Sequence, residues 1–121
     1  MKMVCHLLTA VALLVLIGCA SSETISGRGA PFSATTSHFA PFGTNQVRYR
    51  TAGKGRPVMV FVHGWACNAS FWREQVPAFA DKARLILIDL PGHGQSDKPH
   101  TYYTMDFFAS SVLACRSGKI V

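Results

Sequence analysis

PVMVFVHGWACNASFWREQVPAFADKARLILIDLPGHGQSD, running from Pro57 to Asp97, holds two short apolar runs, Val58 to Val62 and Leu85 to Ile88. Both are rich in β-branched residues and bounded by Pro, Gly or charged residues, the pattern of buried strands. The segment between them, Ala69 to Ala80, has helical length, with a cap available in Asn68 or Ser70 and with Trp72, Val76, Phe79 and Ala80 on one face. Pro77 must kink or interrupt that helix. Strand, helix, strand in this order predicts a right-handed crossover between parallel strands, with helices covering the sheet. Each strand runs into a glycine turn, His63-Gly64 after the first and Pro91-Gly92-His93-Gly94 after the second. Ligands of open parallel sheets bind at the carboxyl ends of the strands, so both turns are expected to face one site.

These two turns, His63-Gly64-Trp65 and Asp89-Leu90-Pro91-Gly92-His93-Gly94-Gln95-Ser96-Asp97, resemble the N-terminal half of an alpha/beta-hydrolase domain. The resemblance covers about Gly43 to Val121 and implies an α/β fold: a mainly parallel sheet with flanking helices, incomplete because the chain stops before the family's nucleophile elbow. It also implies a reaction, hydrolysis of an ester or similar bond in a small-molecule substrate, with no cofactor. Acyl transfer builds negative charge on a carbonyl oxygen, and fixed backbone N–H donors stabilise that charge without reorganising. By the resemblance the donor is the residue after His-Gly, here Trp65. Gly64 lets the chain turn and a ligand approach, and His63 supports the turn by bonding nearby backbone. A second donor would come from beyond Val121. No Gly-x-Ser-x-Gly occurs in the 121 residues, and the nucleophile, the acid and the base of a triad are all missing. Gly94-x-Ser96-x-Lys98 lacks the final glycine and precedes a loop, so Ser96 is a poor nucleophile.

One departure bears on subclass. Epoxide hydrolases and haloalkane dehalogenases, whose nucleophile is an aspartate, commonly carry proline where this chain has Ala66; Trp65-Ala66 looks more like the serine esterases. Gly94-Gln95-Ser96-Asp97-Lys98-Pro99 also occurs in dehalogenase-like members, which keeps that alternative open. A further alternative is a non-catalytic lipoprotein whose partial domain binds a partner.

The N-terminus speaks to location. Lys2 precedes an apolar run, Leu7 to Ile17, interrupted only by Thr9. As a helix its 11 residues would span only about 16 Å, short of the ~30 Å core of a bilayer. A signal peptide over residues 1–18 fits better than a membrane span. Leu16-Ile17-Gly18-Cys19 resembles the lipobox of bacterial lipoproteins, which implies acylation of Cys19 by palmitate or a similar chain and anchoring to the cell envelope, on the outer membrane or facing the periplasm. Residues 19–37, rich in Ser, Thr, Gly and Ala, read as a flexible tether, and residues 38–121 as the partial domain. Within it, Gln46 to Arg50 alternates, with Val47 and Tyr49 on one face and Arg48 and Arg50 on the other, as a half-exposed strand would.

Charge and cysteine usage exclude other classes. Twelve basic against six acidic residues give +6, but the basic residues are scattered and have no aromatic platform, so no nucleic-acid partner is expected. Ala52-Gly53-Lys54-Gly55-Arg56-Pro57 lacks the glycines, lysine and following helix of a nucleotide loop. With Cys5 removed and Cys19 acylated, Cys67 and Cys115 remain, and both are expected as buried free thiols. No metal site is expected, since no two of the five histidines have ligand spacing. Finally, Thr104 can cap a helix that carries Asp106 in its first turn and Met105, Phe108, Val112 and Cys115 on one face; Ser117-Gly118 would end it and Lys119-Ile120-Val121 would begin another strand.

Overall fold

The computed structural model describes residues 29–117. Its sheet has four strands, β1 (Thr36–Phe42), β2 (Asn45–Ala52), β3 (Val58–Val62) and β4 (Arg84–Ile88), in the order β1-β2-β4-β3. β3 and β4 pair in parallel, Val58 opposite Arg84 through Val62 opposite Ile88, which is the crossover expected from the sequence. β1–β2 and β2–β4 are antiparallel, so the described sheet is mixed. The single half-exposed strand expected after His38 is in fact a hairpin. Its two-residue loop, Gly43-Thr44, has Gly43 at φ +61, the positive value that a II′ turn requires at its first central residue.

β4, inner like β2, reads Leu85-Ile86-Leu87-Ile88 because both of its faces are buried. Ile86 and Ile88 join Ala40, Val47, Tyr49 and Cys115 on one face. Leu85 and Leu87 join Ala69, Val76, Ala80 and Ala83 on the other, with Phe61 and Trp72 packed against them. The Ala69–Ala80 segment is not one helix. It is a 3-10 turn, Ala69–Trp72, followed by a single α turn, α1 (Val76–Phe79), with Pro77 in the first turn, where its missing N–H costs nothing. Asn68 is the cap, its side chain accepting from Ser70 N at 2.9 Å. Trp72, Val76 and Ala80 face the sheet as expected, whereas Phe79 is partly exposed against Phe61.

The second helix, α2 (Met105–Ser117), covers the opposite face of the sheet at β1 and β2. Thr104 Oγ1 accepts from Phe107 N, so the cap is where the sequence put it. Cys115 packs inward and Val112 against the same cluster, but Met105 is 79% exposed and does not belong to the buried face. In the same first turn Phe107 packs on Phe42 of β1, ring centroids 5.1 Å apart. The expected helix end at Gly118 and the strand from Lys119 lie outside the described residues.

Two further expectations are corrected. The tether does not reach residue 37: Gly29 N donates to Pro77 O at 2.7 Å, a 3-10 turn spans Phe32–Ala34, and β1 begins at Thr36. Nor is Arg48 on a solvated face. It is buried, and Arg50 lies 4.6 Å over the Phe32 ring. Among the described strands β3 lies at the edge of the sheet, and Val58, Val60 and Val62 are exposed on the side that α2 leaves uncovered.

Candidate active site

The two glycine turns come together at the carboxyl ends of β3 and β4. His63, 4% exposed, sits between them. Its Nε2 is 3.0 Å from Leu90 N and its Nδ1 2.8 Å from the Gly64 carbonyl. A backbone N–H can only donate and a carbonyl can only accept, so Nε2 carries the lone pair and Nδ1 the proton. Both ring nitrogens are thus engaged with backbone. His63 clamps the turn after β3 to the turn after β4 and has no nitrogen left to act as a base. His93, in the second turn, lies 5.2 Å from the His63 ring and meets the Trp65 ring edge-on at 5.4 Å, with Phe108 of α2 behind it. The Trp65 side chain itself is 77% exposed, standing out over the two turns and forming the mouth of the site.

The backbone at Trp65 is held in a tight turn. Cys67 N donates to Gly64 O at 3.3 Å, and within this four-residue turn Ala66 has φ +58. A positive φ at the third residue only is the mark of a type II turn, which ordinarily takes Gly or Asn there. Alanine at such a φ costs on the order of 1 kcal/mol. Proline, fixed near φ −65°, cannot adopt it at all. Among the described residues the Trp65 N–H has no intramolecular acceptor.

Asp89, which the sequence reading quoted but gave no role, is the hub beneath both turns. It is fully buried, and Oδ1 accepts from Ala69 N at 2.6 Å while Oδ2 accepts from Gln95 N at 3.0 Å and from Arg48 Nη1 at 3.1 Å. One carboxylate thereby fixes the start of the crossover, the second turn and β2. Arg48 Nε donates in turn to Ser37 Oγ, so the ion pair is held at both ends by charge-assisted bonds. Gly94, at φ +51, must be glycine because a Cβ there would land on the Asp89 carboxylate. The signal was present in the sequence as a single acid closing an apolar strand just ahead of a glycine turn.

Ser96 is buried and saturated: its hydroxyl accepts from Arg48 N and donates to the Asp89 carbonyl. It has neither exposure nor a base beside it. Cys67 is half-buried rather than buried, while Cys115 is enclosed and burial pushes its thiol up to about 11. Burial also raises Tyr49, with a smaller contribution from Cys115, and it lowers Arg50, with Arg48 adding to the effect. Among the described residues no three His, Cys, Asp or Glu side chains converge as metal ligands.

The family profile described as alpha/beta hydrolase fold matches residues 57–117. The chain belongs to the alpha/beta-hydrolase family. Its relatives include a pimeloyl-[acyl-carrier protein] methyl ester esterase of Edwardsiella ictaluri, 42% identical over 47% of this chain and 23% of that one. A soluble epoxide hydrolase of Corynebacterium sp. is 38% identical over 64% of this chain and 27% of that one. Among solved structures, the epoxide hydrolase CorEH superposes with a TM-score of 0.64 at 36% identity, over 69% of this chain and 29% of that one. Est816, described as an N-acyl homoserine lactone degrading enzyme, gives 0.62 at 34% identity, over 66% and 30%. The chain thus spans about a quarter of the length of the curated relatives it matches, and it is a partial alpha/beta-hydrolase domain.

Proposed function

We propose that these residues are the oxyanion-side portion of an exported serine hydrolase acting on a small-molecule ester or similar bond, anchored to the bacterial envelope through lipid on Cys19. In this reading Trp65 N–H receives the developing oxyanion, Gly64 keeps the approach open, and His63 holds the turn through its two backbone bonds. The second N–H and the Ser, acid and His of the triad come from sequence past Val121, and these 121 residues alone turn over no ester.

The observation that carries the reading is the Gly64–Cys67 turn, which presents an unengaged N–H beside the two converging loops. The same turn bears on subclass, because φ +58 at Ala66 is a backbone that proline cannot occupy. This favours the serine-esterase form of the turn. The aspartate-nucleophile alternative rests on the likeness to epoxide hydrolases in sequence and structure.

A fluorophosphonate probe separates the two in the gene product read past the Val121 codon. Covalent labelling supports the serine reading, and hydrolysis of an epoxide or haloalkane by an unlabelled protein rejects it. In that product Trp65→Ala keeps the backbone donor, whereas Trp65→Pro deletes it at a turn position that accepts proline. The expected loss for the proline variant is roughly 10²–10³-fold in kcat. Incorporation of labelled fatty acid, abolished by Cys19→Ala, tests the anchor.

A further inference from the structure

The end of the sheet opposite the two turns is strongly basic. There the Gly53–Pro57 loop lies against the loop that leads from α1 into β4. Gly53 has φ +67 and no room for a Cβ against the Ala80 and Ala83 carbonyls, and Arg84 N donates to Pro57 O at 3.0 Å. This apposition gathers Lys54, Arg56 and Lys82, all exposed, and the half-exposed Arg84, with Asp81 the acid among them. Scattered along the sequence, these cations become one surface only through the fold.

The chain enters the fold at the same end. Gly29 N donates to Pro77 O, and a Cβ added at Gly29 would lie 3.1 Å from Asp81 N. Gly29 lies ten positions after Cys19, so the entry point lies at most about 36 Å of extended chain from Cys19. Trp65 and His93 stand at the other end of β3 and β4, about 16 Å away along five-residue strands.

We infer that the face formed by Lys54, Arg56, Lys82 and Arg84 docks on anionic phospholipid headgroups and turns the mouth at Trp65 away from the membrane. The inference rests on the lipid-anchor reading for proximity, since an acylated Cys19 joins the fold at this end of the sheet and keeps it within about 36 Å of the bilayer; charge makes the choice between the two ends. Its charge complementarity stands independently. Each basic residue within about 8 Å of an anionic leaflet strengthens binding roughly fivefold.

The experiment is lysine footprinting of the mature lipidated protein in vesicles of phosphatidylcholine alone and of phosphatidylcholine with phosphatidylglycerol. Acylation of Lys54 and Lys82 by an amine-reactive ester is expected to slow severalfold in the anionic vesicles, with Lys98, near the mouth, unchanged. Addition of salt should restore the rates. Flotation on the same vesicles of the gene product read past the Val121 codon, made from Ala20 with neither the apolar leader nor Cys19, removes the lipid from the question and excludes aggregates, which do not float. Preference for the anionic vesicles, lost about tenfold or more in Lys54→Glu/Arg56→Glu and kept in Arg73→Glu/Lys98→Glu, supports the docking face even if Cys19 proves unacylated. Equal flotation on both vesicle types, or protection of Lys98 together with Lys54, overturns it while leaving the anchor reading to the fatty-acid label.

Discussion

Ala66, at φ +58, is the one non-glycine residue with a positive φ among those described. Its left-handed backbone makes two substitutions diverge. Ala66→Gly removes the strain and should stabilise the fold by up to about 1 kcal/mol, and Ala66→Pro should break the Gly64–Cys67 turn. Chemical denaturation of the gene product read past the Val121 codon reads both; a proline variant as stable as the parent would mean that the turn has no such conformation. Cys115 gives a pH test. Its thiol titrates near 11 when folded, above the ~8.5 of a free cysteine. The folded state therefore holds the protonated form, and its contribution is fully present below about pH 8.5. As pH rises through that window toward 11, stability falls by up to about 1.4 kcal/mol per unit. Tyr49, raised in the same cluster, adds to the loss at higher pH. Iodoacetamide at neutral pH should modify Cys67 and spare Cys115, a difference that peptide mass spectrometry resolves; equal rates would contradict the packing of α2.

Between elements, Asp89 is where the site and the sheet meet. Asp89→Ala would strip the partner from buried Arg48 and orphan the N–H groups of Ala69 and Gln95, with an expected cost of roughly 3–5 kcal/mol. Asp89→Asn keeps the shape but turns an amide N–H toward one of these donors, so it should recover only part of the loss. A thermal or denaturant melt that fell by less than 1 kcal/mol in the alanine variant, an order set by surface pairs, would remove Asp89 from this role. The crossover from β3 to β4 and the cap at Thr104 were legible because apolar runs, caps and glycine turns are local signals. The hairpin was not read, although Gly43-Thr44 signals one, because the alternation around Val47 drew one strand through it. The burial of Arg48 was not legible either: alternation assigns a charged residue to solvent, and only the fold brings Asp89, 41 positions later, to its guanidinium. The split of Ala69–Ala80 follows from Pro77, whose interruption was foreseen but not its position at the start of a new turn.

At the scale of the molecule, the described sheet is covered unevenly. The face carrying Leu85 and Leu87 has the crossover across it, while α2 covers the other face mainly at β1 and β2 and reaches β4 through Cys115. Val58, Val60 and Val62 of β3 are left 41 to 49% exposed, and β3 has β4 as its one partner among the described strands. An apolar strand edge of this kind pairs readily with other chains. Full burial of such a side chain is worth about 1.5–3 kcal/mol, so three valines left half wet forgo several kcal/mol together. Total stability of a domain is only about 5–15 kcal/mol. A polypeptide of residues 19–121 made without lipid is therefore expected to be aggregated or molten, binding a hydrophobic dye and melting without a cooperative transition. Joining to it the downstream strands and helices of a relative should cover β3 and restore a sharp melt. Sedimentation equilibrium and calorimetry distinguish the outcomes: a monomer of residues 19–121 that unfolds in one sharp two-state step would show that the exposed valines are tolerated, and would move the reading toward a self-sufficient binding module.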